Sequence, residues 1–78
     1  MSVTVLYFAS LRDTAGVAAE TVDLPQSLPA LYEMLRARHE FTLPRDQLRV
    51  AVDGEFTNWD AAVRDGAEIA FIPPVSGG

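Results

Sequence analysis

One stretch of this chain carries a helical pattern, and that constrains the fold more than anything else in it. Leu28, Leu31, Tyr32 and Leu35 follow the i, i+3, i+4, i+7 spacing of a core-facing helix. Ser27 is a good N-cap, and Pro29 falls in the first turn, where a missing N–H does no harm. Arg36, Arg38 and His39 lie in the last turn, where cations suit the negative end of the helix dipole. Most of the remaining sequence reads as strand or turn. A single helix covers only one face of a sheet, so the pattern predicts an α+β domain with one sheet face left open.

The strands follow from period-2 alternation and turn residues. Residues 3–9, Val-Thr-Val-Leu-Tyr-Phe-Ala, are rich in β-branched and aromatic types. Val3, Val5 and Tyr7 fall on one face; Thr4, Leu6 and Phe8 fall on the other. Ser10 is placed to cap a short helical turn through Ala15, with Gly16 as its stop. Residues 19–24 form a second strand, antiparallel to the first. After the helix, residues 40–47 read as a loop. In residues 48–52, Leu48, Val50 and Val52 point inward, and Arg49 and Ala51 outward. Asp53-Gly54 is a type I′ hairpin signal, with Glu55-Phe56-Thr57 returning. Residues 60–63 are expected to form one helical turn. Asp65-Gly66 leads into a last strand over 67–72, with Ile69 and Phe71 on one face and Glu68, Ala70 and Ile72 on the other. Pro73-Pro74 ends the ladder, because neither residue has an N–H to donate. The result is a mixed sheet of four to five strands, one main helix and short helical turns. Residues 1–72 make the domain and residues 73–78 an extended, flexible tail. The open face then carries Leu6, Phe8, Ala70 and Ile72, and an uncovered apolar face normally meets a partner.

Composition narrows the chemistry. The 78 residues include no cysteine, so there is no disulfide, thiolate nucleophile or zinc–thiolate site. The basic residues are six scattered arginines in a chain of net charge −5, a poor match for nucleic acid. No apolar run approaches the roughly 20 residues that span a bilayer, and the start lacks the features of a signal peptide. These features lead to the expectation of a soluble, cytoplasmic protein. His39 reads as a helix-end partner rather than a general base. Asp53, Glu55 and Asp60 read as a solvated turn rather than a divalent-cation site, since their spacing is not that of an EF-hand. Trp59 is expected to pack over the end of the sheet. Ser76 has no histidine near it in sequence and sits on a tail that cannot preorganise a nucleophile.

The ending Gly77-Gly78 is the remaining candidate. It follows a strand, and Pro73-Pro74 stiffens the exit. Six residues reach on the order of 20 Å at about 3.3 Å each. A stiff stem ending in two residues without Cβ can thread a narrow channel in another protein. There a Gly78 carboxylate, if the chain ends at that residue, can be joined to AMP as an acyl-adenylate and attacked by sulfur or an amine. This chemistry needs no side chain from the carrier.

The start Val-Leu-Tyr-Phe-Ala-Ser-Leu-Arg with Gly16 beyond it, the Asp65-Gly66 turn and the ending Phe-Ile-Pro-Pro-Val-Ser-Gly-Gly resemble the MoaD family over essentially the whole chain. That family comprises small subunits of molybdopterin synthase with the β-grasp (ubiquitin-like) fold. One position departs from its pattern: Ala67 stands where an acidic residue is usual. The resemblance implies that an E1-like (MoeB-like) enzyme uses ATP to adenylate Gly78, with no cofactor or metal held stably by the carrier itself. A sulfurtransferase or desulfurase then supplies sulfur for a thiocarboxylate. It also implies a large synthase subunit (MoaE-like) that receives the tail, in a heterotetramer with two large subunits, and sulfur donation to cyclic pyranopterin monophosphate. Gly77 is the channel-passing residue in that reading. Phe8, Phe56, Ile72, Pro73, Pro74, Val75 and Ser76 are the partner-binding residues; Phe56 rests mainly on the resemblance. Two alternatives stay open. One is a carrier for thiamin, cysteine or tRNA thiolation. The other is a ubiquitin-like modifier or binding module, for which the absence of lysine excludes self-linked chains through lysine.

Overall fold

The computed structural model describes residues 1–74. Strand β1 (Ser2–Tyr7) is followed by helix α1 (Ala9–Ala15), β2 (Ala19–Asp23) and helix α2 (Leu28–His39). Then come β3 (Arg49–Val52), β4 (Glu55–Thr57) and β5 (Glu68–Ile72). The five strands form one sheet in the order β2-β1-β5-β3-β4. The β1–β5 pair is parallel and the other three pairs are antiparallel. The first and last strands thus lie side by side in the middle of the sheet.

Alternation decides which residues form the core. In β1, Val3, Val5 and Tyr7 are buried, while Ser2, Thr4 and Leu6 between them are half-buried. Ile69 and Phe71 of β5 and Val50 of β3 point the same way and are at most 1% exposed. Across from them, Leu28, Leu31, Tyr32 and Leu35 of α2 are all fully buried, as their spacing predicts. The Ser27 Oγ caps the helix by accepting the Ala30 N–H at 3.1 Å. Tyr32 lies edge-on to Phe71 with ring centroids 5.3 Å apart, and its hydroxyl donates to the Leu43 carbonyl at 2.7 Å. Trp59 stacks on Phe71 at 5.7 Å, the packing expected of it. Ala67 is 3% exposed and belongs to the core cluster, so the residue that departs from the family pattern is a methyl fitted into the interior.

Besides one-residue shifts at the end of β2 and the start of β5, four local readings change. β1 ends at Tyr7, not Ala9, because the backbone turns at Ala9 with φ of 50°. That left-handed conformation costs a non-glycine residue roughly 1–2 kcal/mol. The N-cap of α1 is therefore Phe8 rather than Ser10, and no side chain caps it. Residues 60–63 form no helix; a single turn bond runs from the Ala61 N–H to the Asn58 carbonyl, 3.1 Å. Ala61 and Val63 pack instead against the core, which a helical turn would rotate out of alternation. The expected loop contains a 3-10 turn over Arg45–Gln47, set up by Pro44, and β3 begins at Arg49 rather than Leu48.

One polar cluster ties α2 to the edge strand β2. The Tyr7 hydroxyl donates to Glu20 Oε1, His39 Nε2 lies 2.6 Å from the same oxygen, and an Arg38 guanidinium nitrogen lies 3.6 Å from Oε2. His39 also meets the Tyr7 ring edge-on at 5.6 Å. Burial pushes the Tyr7 hydroxyl far above its ordinary range, and its bond to the Glu20 carboxylate adds to this. Burial works against the charge of Glu20. The hydrogen bonds from Tyr7 and His39, with the charges of His39 and Arg38, outweigh it and hold the carboxyl below its ordinary value.

Two outcomes are expected. Leu31→Ala should cost about 2–5 kcal/mol in urea unfolding, the range for emptying a fully buried site. Glu20 has a depressed folded pKa, so its stabilising contribution is complete above the ordinary glutamate value and is lost as pH falls through the folded one. Urea unfolding of Glu20→Gln between pH 7 and pH 3 should therefore show a shallower acid decline than the parent. An identical slope would mean that Glu20 carries none of the acid sensitivity.

Candidate functional site

The face of the sheet turned away from α2 is built by the strand register. Ala19 pairs with Leu6, Leu6 with Ala70, Ala70 with Ala51, and Ala51 with Phe56. A single apolar row therefore crosses all five strands. Ala51 and Ala70 are buried at 7% and 8% although no helix covers them. A lone methyl sits low on the pleat, between the larger Leu6 and Phe56. Ala51 was expected to point outward; it does so, yet it is a floor rather than a contact. Leu6 and Ile72 are half-buried, and Phe8 and Phe56 are 43% and 58% exposed.

Phe8 is positioned by the turn at Ala9, which halts β1 and leaves the ring at the strand's end. Beside it β5 reaches its own last residue, Ile72, because β1 and β5 run parallel with Tyr7 opposite Phe71. Phe8 and Ile72 thus stand at the same end of the sheet, where β5 passes into Pro73 and Pro74. Of the two stem prolines, Pro73 is buried and Pro74 is exposed. Pro73 is thus held by the domain itself. Val75, Ser76, Gly77 and Gly78 lie outside the described residues.

Phe56 is placed by the β3–β4 hairpin. Asp53 (φ 53°) and Gly54 (φ 86°) both adopt the positive φ of a type I′ turn. Asp53 is more than a solvated turn residue. Its Oδ1 accepts the Glu68 N–H at 2.9 Å and its Oδ2 accepts from Arg64 at 3.2 Å, while its own N–H donates to the Glu68 carbonyl at 2.8 Å. The Glu68 amide and then Arg64 hold its carboxyl below the ordinary aspartate range. This clamp fixes the hairpin to β5 and with it the direction of Phe56. No grouping of three or more metal-ligand side chains occurs among the described residues.

Sequence reasoning missed one residue of this face. Arg49 pairs with Ile72 across β3 and β5, and its guanidinium carbon lies 4.2 Å from the centre of the Phe56 ring. Its outward direction was legible from alternation. The diagonal reach to the next strand was not, because it depends on the pairing register.

A mixed five-stranded sheet with its first and last strands parallel in the middle, one face packed on a long helix and the other apolar, defines a β-grasp (ubiquitin-like) domain. The chain belongs to the ThiS family, whose profile matches residues 5–78. It is 38% identical to the molybdopterin synthase sulfur carrier subunit of Homo sapiens, over 97% of this chain and 93% of that protein. It is 35% identical to the protein of the same name in Escherichia coli, over 97% and 99% of the two chains. Among solved structures, SAMP1 (small archaeal modifier protein 1) from Haloferax volcanii superposes with a TM-score of 0.81 at 28% identity, covering 100% of both chains. Among the described residues, no helix is long and apolar enough to cross a membrane.

Because Phe8 is exposed at the surface, Phe8→Arg is expected to leave stability within about 0.5 kcal/mol of the parent, the usual range for surface substitutions. Thermal unfolding followed by circular dichroism checks this. A collapse of the melting transition would place Phe8 in the core instead.

Proposed function

We propose that this chain is the sulfur carrier subunit of a molybdopterin synthase, with the Gly78 α-carboxylate as its reactive group. The observation that carries the reading is the juxtaposition of Phe8 and Ile72 on the helix-free face, where β5 passes into Pro73-Pro74. A partner docked on that face receives the tail directly. The full-length likeness to sulfur carrier subunits from two distant organisms supports it, as does a family match that runs through Gly78.

In this reading the Gly78 carboxylate oxygen attacks the α-phosphorus of ATP in an E1-like enzyme, and pyrophosphate leaves. The terminal sulfur of a sulfurtransferase persulfide then attacks the acyl carbon and AMP departs, leaving an acyl disulfide. A thiol attacks the sulfurtransferase-side sulfur, forms a disulfide with it and releases the thiocarboxylate. The large subunit binds the apolar row, admits the stem, and presents cyclic pyranopterin monophosphate to the sulfur. Two carriers in turn supply the two sulfurs of the dithiolene, in keeping with a heterotetramer built on two large subunits. The carrier contributes reach, narrowness and a docking face. The residues that act on the pterin belong to the large subunit. The net charge of −5 favours encounter with basic partner surfaces. A cytoplasmic setting fits these partners.

A second reading, a ubiquitin-like protein modifier, is favoured by the likeness to SAMP1. It shares the adenylation step but ends in an amide to another protein.

The test is intact-mass analysis after incubation with ATP, an E1-like enzyme and a sulfur donor, followed by mixing with the large subunit and the pterin precursor. The expected result is one sulfur-for-oxygen exchange at the C-terminus, followed by its loss as molybdopterin forms. Removing Gly77-Gly78, or adding one residue after Gly78, should abolish both. Exchange without molybdopterin formation would leave a carrier of another pathway. No exchange with an enzyme proven competent on another carrier would defeat the reading.

A further inference from the structure

Arg49 is a cation in a place that otherwise selects for apolar contact. It lies on the helix-free face beside Ile72, at the tail exit, and next to the most exposed aromatic ring of the row, Phe56. Its guanidinium carbon is 4.2 Å from the centre of that ring, a cation–π stack that fixes the side chain in advance. Stacking occupies the flat face of the guanidinium and leaves its in-plane N–H donors for other acceptors.

Three other arginines, Arg36, Arg38 and Arg64, have a carboxylate within 4.0 Å. None of the ion pairs among the described residues involves Arg49. In the free chain water solvates it. A partner that covers Phe8, Ile72 and Phe56 removes that water from the site between them. A guanidinium buried without a counter-charge opposes docking strongly, whereas one that meets a carboxylate in good geometry favours it. Arg49 therefore sets a condition on whatever covers this face.

We propose that Arg49 is a charge anchor for the large subunit, and that the docking surface of that subunit presents a carboxylate over the Arg49–Phe56 stack, within an otherwise apolar patch. The inference rests on the sulfur-carrier reading above and adds to it the chemistry of the contact. It also runs against the sign of the molecule as a whole. A net charge of −5 calls for a basic partner, while this one point calls for an acid. A surface that is uniformly basic fails at Arg49, so the position discriminates between partners that the overall charge attracts alike.

The experiment is titration of the folded chain against the large synthase subunit from the same source, read by fluorescence anisotropy at low and high salt. Parent, Phe8→Arg, Arg49→Lys, Arg49→Gln and Arg49→Glu are compared, each with its melting temperature. Arg49→Gln is expected to weaken binding by about tenfold or more, as loss of a central arginine contact does. Arg49→Lys should recover part of the loss and Arg49→Glu should be weakest. The differences should narrow as salt is raised, and the melting temperatures should agree. If Arg49→Gln and Arg49→Glu bind within about twofold of the parent while Phe8→Arg does not bind, the anchor is refuted and the docking face stands. Equal losses in the Lys, Gln and Glu variants would also refute it, because the stack and not the charge would then matter. If the parent does not bind the large subunit at all, the function reading fails and the anchor fails with it. The sulfur-exchange assay above, run on the parent and on Arg49→Gln, reads the carrier step apart from binding to the large subunit, so failure of the function reading and failure of the anchor are told apart.

Discussion

One twelve-residue helix over a five-stranded sheet is the constraint from which the rest of this molecule follows. The helix supplies Leu28, Leu31, Tyr32 and Leu35 to one face of the sheet, and the large side chains of β1, β3 and β5 collect there. The other face has nothing to lie against. It is not left polar. Alanine at positions 51 and 70 keeps its centre low, and larger apolar groups stand around it at Leu6, Phe8, Phe56 and Ile72. Small residues in the middle with aromatic groups at the rim make a shallow seat, which a partner can enter without rearranging the domain.

Polar groups secure the two sides of the sheet that the core reaches least. On the β2 side, the Glu20 carboxylate gathers Tyr7, His39 and Arg38 and so holds an edge strand to the end of α2. On the β4 side, Asp53 binds the backbone of Glu68 and the guanidinium of Arg64. Both clusters are built on ionised carboxylates, and both carboxyls titrate below their ordinary values. The fold is thus tightened at its edges by charge and at its centre by packing. The exposed side chains of the other face, Phe8 and Phe56, belong to neither system.

Much of this was legible in the sequence because it depends on local periodicity. The α2 pattern, the Ser27 cap, the alternation of β1 and β5 and the Asp53-Gly54 turn each announce themselves within a few residues, and the helix-free placement of Phe8 and Ile72 followed from alternation alone. What was not legible depends on pairing across the chain. Tyr7 reads as an apolar core residue until β2 brings Glu20 to its hydroxyl. His39 reads as a dipole partner for the same reason. Arg49 reads as a solvent-facing charge until the register sets Phe56 diagonally across from it. The end of β1 was misplaced because an alanine with positive φ carries no sequence signal. Residues 60–63 have the composition of a helical turn, but Ala61 and Val63 are drawn onto the core.

The parallel pairing of β1 with β5 has a consequence in time as well as in space. Leu6 and Ala70 are neighbours in the sheet, yet almost the whole sequence separates them. The strand that completes the middle of the sheet is therefore the last one synthesised. Until residues 68–72 emerge, β1 and β3 have no strand between them, and the inner face lacks Ile69 and Phe71. Long-range pairing of this kind makes folding slow and all-or-none. Pro73 takes its buried place only after that final strand has docked. A chain that presents Pro73 and Pro74 beside Ile72 at the end of β5 is, by construction, one that has finished folding.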